Sequence, residues 1–251
     1  MSIRFSAMNG SIALVGSGEY LAEMLELERS LINDGISQGR RAIYLQIPTA
    51  AGQESSHRLD YWSDLGRRQA ERLGIESMTL PIFDRESAND LEFAKILEDA
   101  ALIYLSGGDP HFLADTLRET SAWEAIKRNW RNGGSLAGCS AGAMVLGSEV
   151  PHFRLTRGAA VTGLDLVPNV RVIPHFDKFF KWIPDSSAKL IVDVPEGRIL
   201  MGIDELTALV KRIGQVEWKV FGRAKVHILK GAKPRTLSEG EILNFDEGSI
   251  S

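Results

Sequence analysis

The amino-acid sequence predicts an α/β fold, a mostly parallel sheet flanked by helices on both faces with antiparallel strands near the C-terminus. Two observations predict it. Short apolar runs alternate with amphipathic stretches up to about residue 200, and parallel strands need crossover connections that helices normally supply. Beyond that point the apolar runs follow one another after short turns, which is typical of antiparallel pairing.

The first elements predict a strand-helix-strand unit. The run Ile12 to Val15 is apolar and ends in glycines, which indicates a short buried strand. Met24, Leu27 and Leu31 then recur at helical spacing. A second strand is predicted from Ala42 to Ile47, so the two strands are expected to lie parallel across a helix.

The same periodicity predicts the remaining elements. Helices are expected at about Leu59 to Leu73, Leu91 to Asp99, His111 to Glu119 and Trp123 to Trp130, and strands at about Ile75 to Leu80 and Ala101 to Leu105. Four late runs are interpreted as an antiparallel extension of the same sheet: Ile199 to Ile203, Thr207 to Ile213, Val216 to Phe221 and Lys225 to Leu229. No linker interrupts the chain, so residues 1–251 are predicted to form one domain, with a loosely held tail after about residue 231.

Composition narrows the function classes. The 251 residues are 44% hydrophobic and 25% charged, an ordinary globular balance. A net charge of −4 without a dense Lys/Arg cluster makes nucleic acid an unexpected partner. The single cysteine, Cys139, can form no internal disulfide and leaves too few thiolates for a structural zinc site, which favours the cytoplasm. The apolar run at the N-terminus is too short for a signal peptide or a membrane span.

The segment Gly138-Cys139-Ser140-Ala141-Gly142 has the pattern of a nucleophile elbow. A small-residue strand, Ser135 to Ala137, precedes it and a predicted helix, Ala141 to Leu146, follows it, so Ser140 falls on the turn between them. Glycines two positions either side allow the tight turn that exposes the serine hydroxyl. Cys139 lacks such flanking glycines and is interpreted as a packed neighbour. Ser140 is therefore the candidate nucleophile.

A serine nucleophile needs a base. His175 follows the apolar run Val170 to Ile173 and so lies at a predicted strand end, where sites on sheets form. His111 is the reserve candidate; the other three histidines lie in less informative surroundings. His175 is therefore the candidate base.

The third member of a triad is a carboxylate that fixes the imidazole tautomer. Asp204 and Glu205 follow the strand Ile199 to Ile203, whereas Asp177 would share a loop with the histidine. The residues by themselves leave these three carboxylates open.

Two segments could supply backbone N–H donors for an oxyanion: the turn after Leu105 and the start of the helix at Ala141. The turn Ser106 to Pro110 follows a buried strand, and Gly108 there could donate an N–H beside that of Ala141.

Gly16 and Gly18 superficially suggest a dinucleotide-binding loop, but the third glycine of that motif is missing, so no nucleotide cofactor is expected.

Four separated motifs, in this order along the chain, resemble those of the family of serine peptidases that contains dipeptidase E and cyanophycinase. They are Leu105–Asp109, Gly138–Ala143, Gly163–Pro168 leading to His175–Phe176, and Gly202–Ala208. The resemblance runs from about residue 12 to residue 229. The serine motif alone would also suit lipases and esterases, but those usually place the acid before the histidine.

The resemblance implies a sheet similar to that of class I glutamine amidotransferases, with a serine where those enzymes have a cysteine, and no metal or organic cofactor. It makes Ser140 the nucleophile, His175 the base and Glu205 the favoured acid. The reaction it implies is amide hydrolysis through an acyl-serine intermediate, with the N–H groups of Gly108 and Ala141 holding the oxyanion.

Relatives in that family favour aspartyl or β-aspartyl linkages, so cleavage after an aspartyl residue is the expected specificity. The pair Ile173–Pro174 replaces an Asp-Gln pair of the cyanophycinase pattern, so cleavage of cyanophycin itself is not expected. An acidic substrate side chain would need a cation to meet it. Arg171, Lys178 and Lys181, near His175, are the candidates.

Thr49 and Gln53, after the second strand, are further candidates for lining the substrate cleft. A small peptide is the expected partner, nucleic acid and membrane are not, and a homodimer is left open. Two alternative functions also stay open: a catalytically silent ligand-binding or interaction protein on the same scaffold, and an esterase or acyl transferase that uses Ser140.

Overall fold

The computed structural model describes residues 9–151, 160–182 and 194–244, with residues 180–182 described in backbone only. Seven α-helices are described: α1 Leu25–Ser37, α2 Ser56–Leu73, α3 Leu91–Leu97, α4 Pro110–Leu117, α5 Ser121–Arg131, α6 Ala141–Leu146 and α7 Phe176–Trp182. The early strands are β1 Ile12–Val15, β2 Arg41–Ile47, β3 Glu76–Thr79, β4 Ala100–Leu105, β5 Ser135–Cys139, β6 Glu149–Val150 and β7 Val161–Thr162. The later ones are β8 Val170–Ile173, β9 Ile199–Ile203, β10 Thr207–Lys211, β11 Trp218–Gly222, β12 Val226–Lys230, β13 Arg235–Leu237 and β14 Ile242–Leu243.

The central sheet has eight strands in the order β14-β11-β10-β1-β5-β4-β2-β3. The five strands from β1 to β3 in that order run parallel, while β10, β11 and β14 add antiparallel pairs at one edge. The predicted fold class is therefore confirmed. Because β1, β5 and β4 are adjacent and parallel, their C-terminal ends meet on one side of the sheet, and the residues that follow them converge there.

Helices cover both faces of this sheet, as alternate residues of β1 show. Ile12 and Leu14 belong to one buried apolar cluster, which also takes side chains from α3, α4, α5 and α6. Ala13 and Val15 belong to a second cluster, which takes side chains from α1 and α2. Successive strand residues point to opposite faces, so an apolar run without polar alternation is what a strand buried on both sides requires.

The late strands do not all extend the central sheet, and here the sequence-based expectation was wrong. Strands β10 and β11 do so, but β9 and β12 lie in a separate four-stranded sheet of order β13-β12-β9-β8, in which β9 pairs parallel with β8. The chain changes sheet in the turn between β9 and β10, where Leu206 has a φ of 54°. A short turn between two apolar runs predicts a hairpin, but β9 and β10 pair with different strands.

The segment after residue 231 contributes two short strands within its described part. β13 pairs with β12 and β14 pairs with β11. The backbones of these paired residues are hydrogen-bonded in the two sheets, and residues 245–251 lie outside the described ranges. The expected loosely held tail stays a prediction. The single-domain organisation stays a prediction. No helix among the described residues is long and apolar enough to cross a membrane.

Candidate active site

Ser140 lies on the sharp turn between β5 and α6. Its backbone has φ 51° and ψ −108°, a conformation that costs a non-glycine residue energy and persists only where surrounding contacts hold it. Two hydrogen bonds do so: the Ser140 N–H donates to Val15 O at 2.9 Å, and the Ser140 carbonyl accepts from the Met144 N–H at 3.0 Å. The predicted strand-turn-helix context of the serine is therefore present.

The glycines of the elbow are required by close backbone approach. A Cβ on Gly138 would lie 2.5 Å from the carbonyl group of Gly142, and a Cβ on Gly142 would lie 2.3 Å from Leu105 O. Real Cβ atoms do not tolerate such distances, so any side chain at either position would push β5, α6 and the end of β4 apart. The motif is thus explained by packing beneath the serine.

His175 joins Ser140 to Glu205. The Ser140 Oγ and His175 Nε2 atoms are 3.1 Å apart, and His175 Nδ1 is 2.9 Å from Glu205 Oε1. Since an ionised carboxylate can only accept, His175 Nδ1 is the protonated nitrogen and Nε2 presents its lone pair to the serine hydroxyl. His175 follows β8 and Glu205 follows β9, two neighbouring parallel strands of the second sheet. The three residues have the geometry of a Ser-His-Glu triad.

The other two candidate carboxylates are engaged elsewhere. Asp177 Oδ1 accepts the backbone N–H of Glu205 at 3.0 Å, so it holds the turn that carries the acid. Asp204, 6% exposed, accepts the Lys225 N–H at 3.1 Å and contacts His227 Nε2 at 3.1 Å. Of the three carboxylates, Glu205 is the one that contacts His175 Nδ1, and it is the acid that the resemblance implies.

Lys178 stabilises the ionised form of Glu205. Partial burial by itself would raise the pKa of the Glu205 carboxyl, but hydrogen bonds from Lys178 and His175, together with their charges, hold this pKa below its ordinary value. The Lys178 ammonium donates a hydrogen bond to Glu205 Oε2, and the His175 imidazole donates one to Oε1. Each oxygen of the carboxylate therefore has its own partner. A carboxylate held in this way stays charged beside the imidazole that it orients.

The two expected oxyanion donors lie at the same edge of the sheet. In the turn after β4, the Ser106 N–H donates to Ile47 O at 3.3 Å and the Asp109 N–H to Ala50 O at 2.7 Å. Gly108 between them has a φ of 141° and packs on Ala50, since an added Cβ would lie 2.3 Å from its carbonyl oxygen.

Across the site, Ala141 is the first residue of α6, where no intrahelical acceptor exists. Within the described part of the chain, the N–H groups of Gly108 and Ala141 donate to no other group. A substrate oxyanion is therefore a suitable acceptor for both.

Three of the candidate substrate-binding residues, Thr49, Arg171 and Lys178, have partners within the protein. Thr49 is buried and its hydroxyl donates to Ile82 O at 2.7 Å, whereas Gln53 is exposed just beyond it. The Arg171 guanidinium, with the side chain 5% exposed, forms an ion pair with Glu149. Lys178 is at the site, but as the partner of the triad acid rather than as an open cation. The Lys181 side chain lies outside the described part.

The remaining sequence candidates have structural explanations. A Cβ on Gly16 would lie 2.2 Å from Asp204 O, so this glycine lets the end of β1 pack against the turn that carries the acid, and a nucleotide loop is not needed to account for it. Burial raises the pKa of the Cys139 thiol well above its ordinary value, which keeps the sulfur protonated and a poor nucleophile. His111 is the second residue of α4, and its backbone N–H donates to Asp109 Oδ1; the histidine beside Ser140 Oγ is His175.

Glu19 is a residue of this site that the sequence reasoning missed. It follows β1 and reaches the turn after β4, where a Cβ on Gly107 would lie 2.7 Å from Glu19 Oε1 and 3.4 Å from Ser140 Cβ. The signal that could have revealed it is position: a charged residue just beyond the C-terminal end of a central parallel strand lies where sites form.

The fold and the site together define a serine hydrolase with a Ser-His-Glu arrangement on an α/β sheet. Residues 12–218 match the model of peptidase family S51, so the chain belongs to that family and is a serine-type peptidase. The family that the four sequence motifs resemble is therefore confirmed.

Similar proteins are consistent with this assignment. The chain is 28% identical over 239 residues to a cyanophycinase of Trichormus variabilis, covering 89% of this chain and 74% of that protein. It is 31% identical over 224 residues to a cyanophycinase of Synechococcus elongatus, covering 83% and 64% respectively. The crystal structure of a peptidase from an acI-B1 actinobacterium is 59% identical, with a TM-score of 0.93 over 96% of this chain and 98% of that one.

A protein assigned as a peptidase E from Listeria monocytogenes shows the same fold at 20% identity. Its TM-score is 0.60, over 88% of this chain and 100% of that one.

Proposed function

We propose that this peptidase hydrolyses an amide bond in a small peptide through an acyl-serine intermediate on Ser140. The observation that carries the proposal is the continuous hydrogen-bonded path from the Ser140 hydroxyl through His175 to Glu205, with contacts of 3.1 and 2.9 Å. Nucleophile, base and base-orienting acid are thus within the distances that acyl transfer requires.

The mechanism follows from this geometry. His175 Nε2 takes the hydroxyl proton as Ser140 Oγ attacks the amide carbonyl carbon, and the N–H groups of Gly108 and Ala141 receive the negative oxygen. The carbon–nitrogen bond then breaks and the departing amine takes the proton from His175. Water attacks the acyl carbon of the ester and gives a proton to the same nitrogen. The bond from this carbon to Ser140 Oγ then breaks as His175 returns the proton to Oγ, which releases the acid product and restores the serine hydroxyl.

The substrate is proposed to be a short peptide with an aspartyl residue on the acyl side. This specificity rests on the family resemblance and not on a free cation at the site, because Arg171 and Lys178 form ion pairs with Glu149 and Glu205.

We also propose that the protein is located in the cytoplasm. The proposal is supported by its single cysteine, which is buried and unpaired, since disulfides are rare in that compartment.

The test combines a covalent probe with a substrate series. A fluorophosphonate should label the wild type once, and Ser140→Ala should not be labelled; intact-protein mass spectrometry reads both. Dipeptides with aspartyl, asparaginyl and alanyl first residues should then be cleaved in that order of kcat/KM. An unlabelled wild type, or equal labelling of Ser140→Ala, would refute the serine mechanism, and equal rates across the series would refute the aspartyl preference.

A further inference from the structure

The Glu19 carboxylate joins three strand ends beside the nucleophile. Oε1 accepts the backbone N–H of Gly107 at 3.0 Å, and Oε2 accepts the thiol of Cys139 at 2.9 Å. Glu19 itself follows β1, Gly107 follows β4, and Cys139 is the last residue of β5, directly before Ser140. One side chain therefore fixes the spacing of the two segments that carry the expected oxyanion donors.

Gly107 lies between the Glu19 carboxylate and the nucleophile, with the close approach on the Glu19 side. An added Cβ there would lie 2.7 Å from the Glu19 carboxylate and 3.4 Å from Ser140 Cβ, so this backbone is held between the carboxylate and the nucleophile. Gly107 and Gly108 have no side chains to restrain them, and Gly108 adopts a φ of 141°. A turn of two glycines keeps one conformation only if its amides are fixed from outside.

Three of the four amides in this turn are fixed. The N–H groups of Ser106 and Asp109 donate to backbone carbonyls of the β2 segment and its continuation, and that of Gly107 donates to Glu19. Glu19 supplies the single side-chain acceptor in this set. The fourth amide, that of Gly108, donates to no group among the described residues, and its direction depends on the peptide unit before it.

We propose that Glu19 is a positioning residue for the oxyanion site: by holding the Gly107 N–H, it orients the Gly108 N–H toward the carbonyl oxygen that Ser140 attacks. The inference rests on the proposed acyl-serine function and adds a residue to it. Glu19 does not exchange a proton with the substrate. Its effect belongs to the transition state, because the oxygen gains full charge only there.

The Cys139 contact supplies a matched control. The thiol stays protonated, because burial and the neighbouring Glu19 charge both raise its pKa, so it donates to Glu19 Oε2 and not to the oxygen that accepts the Gly107 N–H. Removing the thiol leaves the Gly107 bond in place, whereas removing the carboxylate breaks both. Glutamine at position 19 keeps an oxygen for Gly107 and turns its NH₂ toward the sulfur.

The experiment measures kcat and KM for Glu19→Ala, Glu19→Gln and Cys139→Ala, with kcat expressed per site titrated by the fluorophosphonate. Glu19→Ala should lower kcat about 100-fold with KM changed less than about threefold, because a displaced donor costs transition-state binding. Glu19→Gln should restore kcat to within about tenfold of wild type, since the acceptor is kept. Cys139→Ala should stay near wild type.

Affinity for a peptide aldehyde, which forms a charged adduct, should fall in parallel with kcat. Because kcat is expressed per site titrated by the fluorophosphonate, unfolded protein does not enter the comparison. If Glu19→Ala does not fold, Glu19→Met replaces it, since methionine also lacks the carboxylate. Wild-type kcat per site in Glu19→Ala or Glu19→Met, or an equal loss in Glu19→Gln or Cys139→Ala, would overturn the proposal. A wild type that neither labels nor cleaves peptides would instead refute the function on which it rests.

Discussion

Lys178 and Glu205 form an ion pair on the oxygen of Glu205 that His175 leaves open. The residue that the sequence suggested for holding an acidic substrate thus acts on the triad itself. It favours the charged form of the carboxylate that orients the base, and this pair links the stability of the site to pH.

Replacing Lys178 with methionine should make that link measurable. The pKa of Glu205 is depressed below its ordinary value of 4.5, so its stabilising effect is complete above that value and is lost as the pH falls through the folded-state value. Lys178→Met should therefore be less stable than wild type at pH 7, and the difference should shrink as the pH is lowered from 4.5 to 3, as measured by urea unfolding. Lys233→Met, at an exposed position, is the control; the same deficit at both pH values would contradict the idea.

Neutralising the triad acid tests its assignment. Glu205→Gln keeps the shape of the side chain, but a neutral amide neither fixes the tautomer of the His175 imidazole nor offsets the positive charge that this ring gains. We therefore expect kcat to fall by roughly a thousand- to ten-thousand-fold. Asp177→Asn keeps an oxygen for the Glu205 N–H and should lose less than about tenfold. Steady-state kinetics on one peptide compare the two variants. Equal losses, or a mild effect of Glu205→Gln, would move the role of acid to Asp177.

An added methyl group at Gly108 should damage the oxyanion site. Its Cβ would lie 2.3 Å from Ala50 O, so the turn must shift and carry its donor away. Gly108→Ala should raise the activation barrier by roughly 3–4 kcal/mol, seen as a loss in kcat. Gly39→Ala is the control, since Gly39 also has a positive φ, 78°, but meets nothing within 4 Å. It should cost about 1 kcal/mol of stability at unchanged kcat per titrated site.

Buried Glu28 should make the protein less stable as the pH rises. Burial raises the pKa of its carboxyl from 4.5 to about 8, so the folded state binds the proton that the unfolded state has released. Between these values the free energy of unfolding should fall by roughly 1.4 kcal/mol per pH unit.

Glu28→Gln keeps an acceptor for Gln69 and should lack this slope. Glu26→Gln, on the exposed side of the same helix, should retain it. Urea unfolding from pH 5 to pH 8 measures both; parallel curves for wild type and Glu28→Gln would contradict the prediction.

The local features of this protein are predictable from its sequence. Strands, helices and the elbow at Ser140 could be predicted because each depends on residues close together in the chain: apolar periodicity, flanking glycines and a strand-to-helix switch. His175 could be placed at a strand end for the same reason. The fold class followed, since alternating strands and helices leave a parallel sheet as the simple solution.

The contacts between side chains in the site depend on the tertiary structure. Asp204 and Glu205 are consecutive in the sequence, yet one bonds His227 and the other His175, because neighbouring residues beyond a strand point in different directions. Glu19 is 88 residues from Gly107 and 120 from Cys139, so no local pattern could connect them. Pairing between strands brought these groups together, and that pairing is set by the packing of the whole chain.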